Sequence, residues 1–283
     1  MPKAMEYTRI RVEPLSSAAG AEIGGVDVGE PLDDTVIAEI RGAFLAHGAI
    51  FFRDQSLSPE QYLRFARTMG EPSEYPFVKG LEGYPEITEV VKEKDERLNF
   101  GGVWHSDTTY LECPPMGTIL YAQEIPPVGG DTIFASMIAA YEALSPGMRR
   151  LLDGLTAVNS ADKGDAAATR ADLRRQRPKD EGDTITTSEH PIVRTHPETG
   201  QKAIYVNPGH TLRIAELSEA ESAPILEYLY RHQKRPEFTC RFRWRLGSLA
   251  FWDNRAVQHY PLNDYHGHRR AMQRITLAGD RPR

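Results

Sequence analysis

The segment WHSDTTY sets an imidazole, His105, and a carboxylate, Asp107, two positions apart. On an extended strand or its frayed end, alternate side chains share a face, so both can reach one metal ion. A third ligand must come from a distant stretch, and His259 in FWDNRAVQHY, directly after a strongly β-like run, is the candidate. Two histidines and one carboxylate form the facial set that holds non-haem iron(II), leaving three adjacent positions for a bidentate co-substrate and O₂. Catalytic zinc accepts the same three ligands, and a lone His-x-Asp is more often a surface pair or a hydrogen-bonded core histidine. The surroundings therefore decide.

Arg270 and Arg274 follow His259 by eleven and fifteen residues, on what reads as the next strand. A guanidinium forks onto a carboxylate or sulfonate, as anchoring an acidic co-substrate beside a metal requires. Without the histidines, Arg269, Arg270 and Arg274 would read as a solvated basic patch. Thr132, after Gly129-Gly130-Asp131, is an ordinary strand hydroxyl that could equally donate to the same distal carboxylate as Arg270. A zinc hydrolase would leave Arg270 and Thr132 without a task, and no general base stands beside the triad. A silent anion-binding protein would not need all three ligands.

The elements that must position these residues are mostly short strands. Residues 8–28 read as two strands joined by turns. Asp33 or Asp34 caps a helix through Val36, Ile37, Ile40 and Phe44, which Gly48 ends before a strand at Ala49 to Phe52. Ser58 and Gln61 form a capping box around Pro59 for a second helix. Glu71 to Asn99 reads as loop apart from a β-like run from Glu86 to Val91. Strands are expected at Gly117 to Gln123 and Thr132 to Phe134, then helices from Met137 to Leu144 and after Ser145-Pro146.

Residues 160–190 are poor in large apolar side chains and rich in mixed charge, the composition of a lid or mobile insertion. Beyond them come a strand at Ala203 to Val206 and a helix with a Ser218/Glu221 capping box and Pro224 inside it. From Phe238 to Arg245 apolar and basic residues alternate, and strands close the chain at Leu249 to Trp252 and Arg274 to Ala278. Helices interrupt a strand series rather than alternating with it, and no internal repeat is evident. That favours one mainly β domain, a sandwich or barrel with α insertions, over 1–283.

Composition bounds the rest. With 40% apolar and 26% charged residues, 23 Gly and 20 Pro, the chain reads as a soluble, turn-rich globular protein. A formal charge of −6 supplies no global field for nucleic acid or an anionic membrane, so an anion must be captured locally. Two cysteines, Cys113 and Cys240, suggest neither a disulfide framework nor a thiolate metal site. No signal-like or membrane-length apolar run occurs, so a cytoplasmic setting is expected.

The segments WHSDTTYLECPP, GGDTIFAS, AAYEALSP, VRTHPETGQKAIYVN and FWDNRAVQHYPLNDYHGHRRAMQRITLAGDRP, spread over nearly the whole chain, resemble the taurine dioxygenase family of Fe(II)/2-oxoglutarate-dependent oxygenases. That family includes alkylsulfatases and phenoxyalkanoate dioxygenases. The resemblance implies a double-stranded β-helix, or jelly roll, flanked by helices, and a dimer or tetramer. It implies His105, Asp107 and His259 as metal ligands, Thr132 and Arg270 on the distal carboxylate of 2-oxoglutarate, and Arg274 on a small anionic substrate. Taurine-specific members carry a histidine where Tyr75 precedes Pro76, an asparagine where Gly101 stands, and an aromatic residue at His210. Tyr75, Gly101 and His210 are therefore the expected substrate contacts that set this chain apart, and Tyr75, Phe77 and the backbone near Thr108 are expected to form a less specific wall. For His210 an exposed loop position is the competing expectation.

Overall fold

The computed structural model describes residues 6–164 and 187–283. After the hairpin β1 (Arg11–Pro14) and β2 (Ala21–Gly24), α1 (Asp34–His47) starts at Asp33, whose side chain accepts from Val36 N. It stops at Gly48, which takes a left-handed φ of 68°. Strand β3 (Ala49–Phe52) follows, then α2 (Pro59–Met69), opened by the Ser58–Gln61 capping box. The chain continues through β4 (Pro72–Ser73), β5 (Thr88–Lys92), β6 (Gly117–Glu124) and β7 (Thr132–Ser136) to α3 (Met137–Glu142) and α4 (Pro146–Leu152).

Next come β8 (Thr156–Ser160), β9 (Thr187–Pro191), β10 (Val193–Thr195), β11 (Lys202–Ile204) and β12 (Thr211–Ile214). Helix α5 (Glu219–Gln233) precedes β13 (Thr239–Phe242), β14 (Leu249–Asp253), β15 (Val257–Pro261) and β16 (Arg270–Leu277). The main sheet runs β1-β2-β3-β14-β6-β16-β4, and β5 shares the outer edge of β16 with β4. A second sheet, β13-β7-β15, closes over it, and β12-β8-β9 and the β10–β11 pair stand apart.

The core between the two sheets comes from alternation within β3 and β14. Ala49, Phe51, Ala250 and Trp252 point inward to Phe134, Phe242 and Val257 of the second sheet. Phe51 stacks on Phe242 at 4.1 Å. Ile50, Phe52, Leu249 and Phe251 point the other way and are covered by Ile40 and Phe44 of α1 and Phe65 of α2. Strands buried on both faces read as unbroken apolar runs, as AIFF and LAFW do. This is a jelly roll with helices packed outside it.

Several strands were not expected: β8, β9, β10 and β12 are short and largely polar, with little apolar patterning to betray them. The excursion anticipated at 160–190 begins and ends inside paired strands, since Ser160 opposes Thr187 in the β8–β9 ladder. Its central part, 165–186, lies outside the described residues. Among the described residues no helix is long and apolar enough to cross a membrane.

Candidate metal centre and its cavity

His259 sits in the middle of β15 rather than after a strand, and His105 forms an isolated bridge with it. The two backbones exchange hydrogen bonds of 3.1 Å and 2.8 Å, so the imidazoles leave on the same side with ring centroids 4.2 Å apart. Past His105 the chain turns instead of continuing as a strand, and Thr108 takes a φ of 44°. That turn brings Asp107 Oδ1 to 3.7 Å from His105 Nε2. Ligand atoms of His105, Asp107 and His259 all lie within 4.8 Å of one another, and all three residues are buried.

Two of the three ligands are aimed by a hydrogen-bond partner, while His259 Nδ1 makes no hydrogen bond and its ring packs against Trp252. His105 Nδ1 lies 2.7 Å from Val103 O, and because a carbonyl only accepts, Nδ1 carries the proton and Nε2 keeps its lone pair for a metal. The Thr118 hydroxyl donates to Asp107 Oδ2 at 2.6 Å and accepts from Asn254 Nδ2 at 2.9 Å. Asn254 Oδ1 in turn accepts from Asp107 N and from Trp252 Nε1. One carboxylate oxygen is thus committed to the protein and the other faces the histidines.

Burial opposes ionisation of Asp107, but His105 and the charges of His259 and Arg274 hold its carboxyl well below the usual range. Burial, followed by the neighbouring His105, pushes His259 down to about 3. A carboxylate beside the neutral imidazole of His259 is the protonation state that metal binding requires.

Across the cavity, Arg270 is 6% exposed, and its Nε and Nη2 make no hydrogen bond. Burial lowers its pKa from the ordinary value. Thr132, on the facing strand β7, accepts from Trp244 Nε1 at 3.0 Å, which leaves its own hydroxyl proton to donate. A buried guanidinium with two N–H groups unspent on the protein, lining the same cavity as a hydroxyl, has the chemistry to hold an anion.

Arg274 lies between this end and the outer wall. Its Nη1 is 3.7 Å from Asp107 Oδ1, its Nη2 has no partner, and its guanidinium stands 4.3 Å from the Tyr75 ring centroid. Tyr75, Phe100, Gly101, Thr108, Tyr110 and His210 line the adjoining hollow with it. His210 is buried, not an exposed loop residue: Thr109 Oγ1 meets its Nδ1 at 3.2 Å and its ring stands edge-on to Tyr110. At Gly101, with φ 70°, a Cβ would come within 2.9 Å of His105 Cε1, so backbone and space both exclude a side chain in this conformation.

A model of the taurine catabolism dioxygenase TauD, TfdA family matches residues 11–276. The chain belongs to this family. The alpha-ketoglutarate-dependent sulfate ester dioxygenase of Pseudomonas putida is 38% identical over 288 residues, covering 99% of this chain and 92% of that protein. The alkylsulfatase of Acinetobacter baylyi is 34% identical, covering 96% and 86%. Among solved structures, a taurine dioxygenase from Burkholderia xenovorans aligns with a TM-score of 0.81 at 38% identity, over 97% of this chain and 93% of that one.

In this member of the TauD, TfdA family the residues expected at the site line the cavity except Phe77, which packs behind the wall against Tyr75 and Tyr110. His105, Asp107 and His259 gather at one point, with Thr132 and Arg270 to one side, and Tyr75, Gly101, Thr108 and His210 to the other. Sequence reasoning missed the residues that hold these in place: Thr118 and Asn254 at Asp107, Trp244 at Thr132, and Tyr265, which is hydrogen-bonded to Arg270. Trp244 gave a signal, as the last buried position of the alternating run Phe238 to Arg245. Thr118 and Asn254 gave none, because a partner's hydroxyl and amide have no spacing of their own.

Proposed function

We propose that the protein is an Fe(II)/2-oxoglutarate-dependent dioxygenase that hydroxylates a small organic anion of the alkylsulfonate type. The observation that carries this reading is the pair of unspent Arg270 N–H groups facing the three metal-ligand residues across one cavity. A zinc hydrolase would give that buried guanidinium nothing to bind.

His105, Asp107 and His259 would hold the iron. Fe(II) held there would supply the chemistry by which 2-oxoglutarate and O₂ become succinate and CO₂ while one C–H of the substrate becomes C–OH. The protein's own part is placement. Arg270 and Thr132 fix the far carboxylate of the co-substrate, and the Thr118–Asn254 pair keeps Asp107 presenting one oxygen. Arg274 anchors the substrate's anion, so the length from anion to carbon selects the C–H that faces the metal. Trp252, Phe134 and Leu120 keep water from the reacting face.

A second reading, the same chemistry on an alkyl sulfate ester, is favoured by the outer wall. Gly101 and Tyr75 stand where taurine-specific members carry asparagine and histidine, and Tyr75, Phe100 and Val103 suit an apolar tail. Hydroxylation beside a sulfonate or sulfate oxygen collapses to a carbonyl compound and releases sulfite or sulfate. A phenoxyalkanoate, held by its carboxylate, would release a phenol.

A screen of succinate and O₂ stoichiometry over small sulfonates, sulfate esters and carboxylate ethers tests the proposal. Sulfite or sulfate release matched to succinate supports it, phenol release moves the substrate class, and no O₂ uptake with Fe(II) and 2-oxoglutarate overturns it. The same reading takes the chain as a single domain, a cytoplasmic dimer or tetramer acting on neither nucleic acid nor membrane. Two free thiols, Cys113 exposed and Cys240 buried, are in keeping with a reducing compartment.

A further inference from the structure

Lys92 closes β5 directly opposite Arg270, the first residue of β16. Directly opposed residues of an antiparallel pair leave the sheet on the same side. Val90, two positions earlier on that face, lines the cavity. Lys92 is 3% exposed, its Nζ makes no hydrogen bond, and it rests over the Tyr265 ring, 4.8 Å from the centroid.

The carboxylates that act on Arg270 and Tyr265 have other partners, Glu96 accepting from Glu93 N at 2.7 Å. Asp131 Oδ2 accepts from Arg241 Nε at 2.7 Å, Asp264 Oδ1 accepts from Gly130 N at 2.7 Å, and Glu93 pairs with Arg269. Like charges directly opposed on a sheet repel, and a buried charge without a partner is costly. Two buried cations at facing positions, each with unspent donors, point to an anion arriving between them.

We propose that Lys92 is a second cation of the co-substrate site, binding the distal carboxylate of 2-oxoglutarate together with Arg270 and Thr132. The inference rests on the reading of this cavity as a 2-oxoglutarate site. Lysine carries rotatable donors on a four-carbon stem, so Nζ can leave the Tyr265 face for a carboxylate seated on Arg270. A carboxylate offers about four acceptor sites, enough for two guanidinium N–H groups, the threonine hydroxyl and one ammonium N–H.

The test is anaerobic calorimetric titration of the Fe(II)-loaded protein with 2-oxoglutarate and with 2-oxopentanoate, which keeps the chelating 2-oxo acid and lacks the distal carboxylate. Lys92→Met should raise the Kd for 2-oxoglutarate about 10- to 100-fold and leave that for 2-oxopentanoate within about twofold. Lys92→Arg should keep most of the affinity. Without ligand, Lys92→Met should melt no lower than the parent, because one of two opposed buried charges is gone, and its gain in melting temperature on adding 2-oxoglutarate should shrink. An unchanged Kd, or equal losses on both acids with a lower melting point, would reduce Lys92 to a prop for Tyr265 and overturn the proposal. If the parent protein binds neither acid, the co-substrate reading itself falls. If the parent binds and the variant matches it, only the role of Lys92 falls.

Discussion

Thr132, His259, Arg270 and Arg274 enter the cavity from strands β7, β15 and β16, whereas Tyr75, Gly101, Thr108 and His210 reach it from connections. On the strand side, position follows from ladder register: Pro261 opposes Thr132, His259 opposes Phe134, and Arg270 opposes Lys92. On the connection side, contacts run between loops, as from His210 to Thr109 and Tyr110 and from Tyr75 to Phe100, and a change in either loop would rewrite them. Chemistry common to many substrates gains from the first kind of support, and selection among substrates is freer to change on the second.

The largest expected effect lies where the two sides meet. His105→Ala or Asp107→Ala should reduce substrate-dependent succinate formation to background in an Fe(II)-supplemented assay. Retained turnover would remove the triad from the mechanism. Next, Arg270→Leu and Arg274→Leu should divide the strand side by ligand. The first should raise the KM for 2-oxoglutarate by about 30-fold or more, in line with the loss of one partner from a buried charge pair. The second should raise the KM for the anionic substrate and leave that for 2-oxoglutarate near its parent value. Equal effects on both ligands would erase the distinction between co-substrate and substrate ends.

On the connection side, His210→Phe should change the ranking of sulfonates against sulfate esters by about tenfold, a difference of roughly 1.4 kcal/mol, with 2-oxoglutarate kinetics unmoved. A shift in 2-oxoglutarate affinity instead would show that the two sides are not independent.

The effect on activity is smallest at the scaffold, where stability changes instead. Asp253, at the end of β14 and next to Asn254, accepts from Arg255 and meets His196 Nε2 at 2.9 Å. Burial works against its ionisation, but these partners lower its pKa from 3.8 to about 2. A depressed folded-state pKa means the stability it gives is fully present above about pH 4 and is lost as pH falls through 2, roughly 2 kcal/mol in all. In urea unfolding, the gap between the parent and Asp253→Asn should therefore be wide at pH 5 and narrow towards pH 2.5. A gap constant with pH would assign the effect to packing alone.

The sequence by itself determined the elements with strong local signals. Asp33 and Gly48 bracketed α1, Ser58 and Gln61 opened α2, and AIFF and LAFW announced strands buried on both faces. It also presented the His-x-Asp pair, the distant histidine and the two arginines, because metal ligation and anion binding demand particular residue types. Only the tertiary structure decided that His105 pairs with His259 across a bridge, that Thr118 and Asn254 fix Asp107, and that Lys92 stands opposite Arg270. Helix caps and apolar alternation act over a few residues and are written locally. Pairing between residues 154 and 178 positions apart, as between His105 and His259 or Lys92 and Arg270, is settled when the sheets close over one core, and no short stretch of sequence carries it.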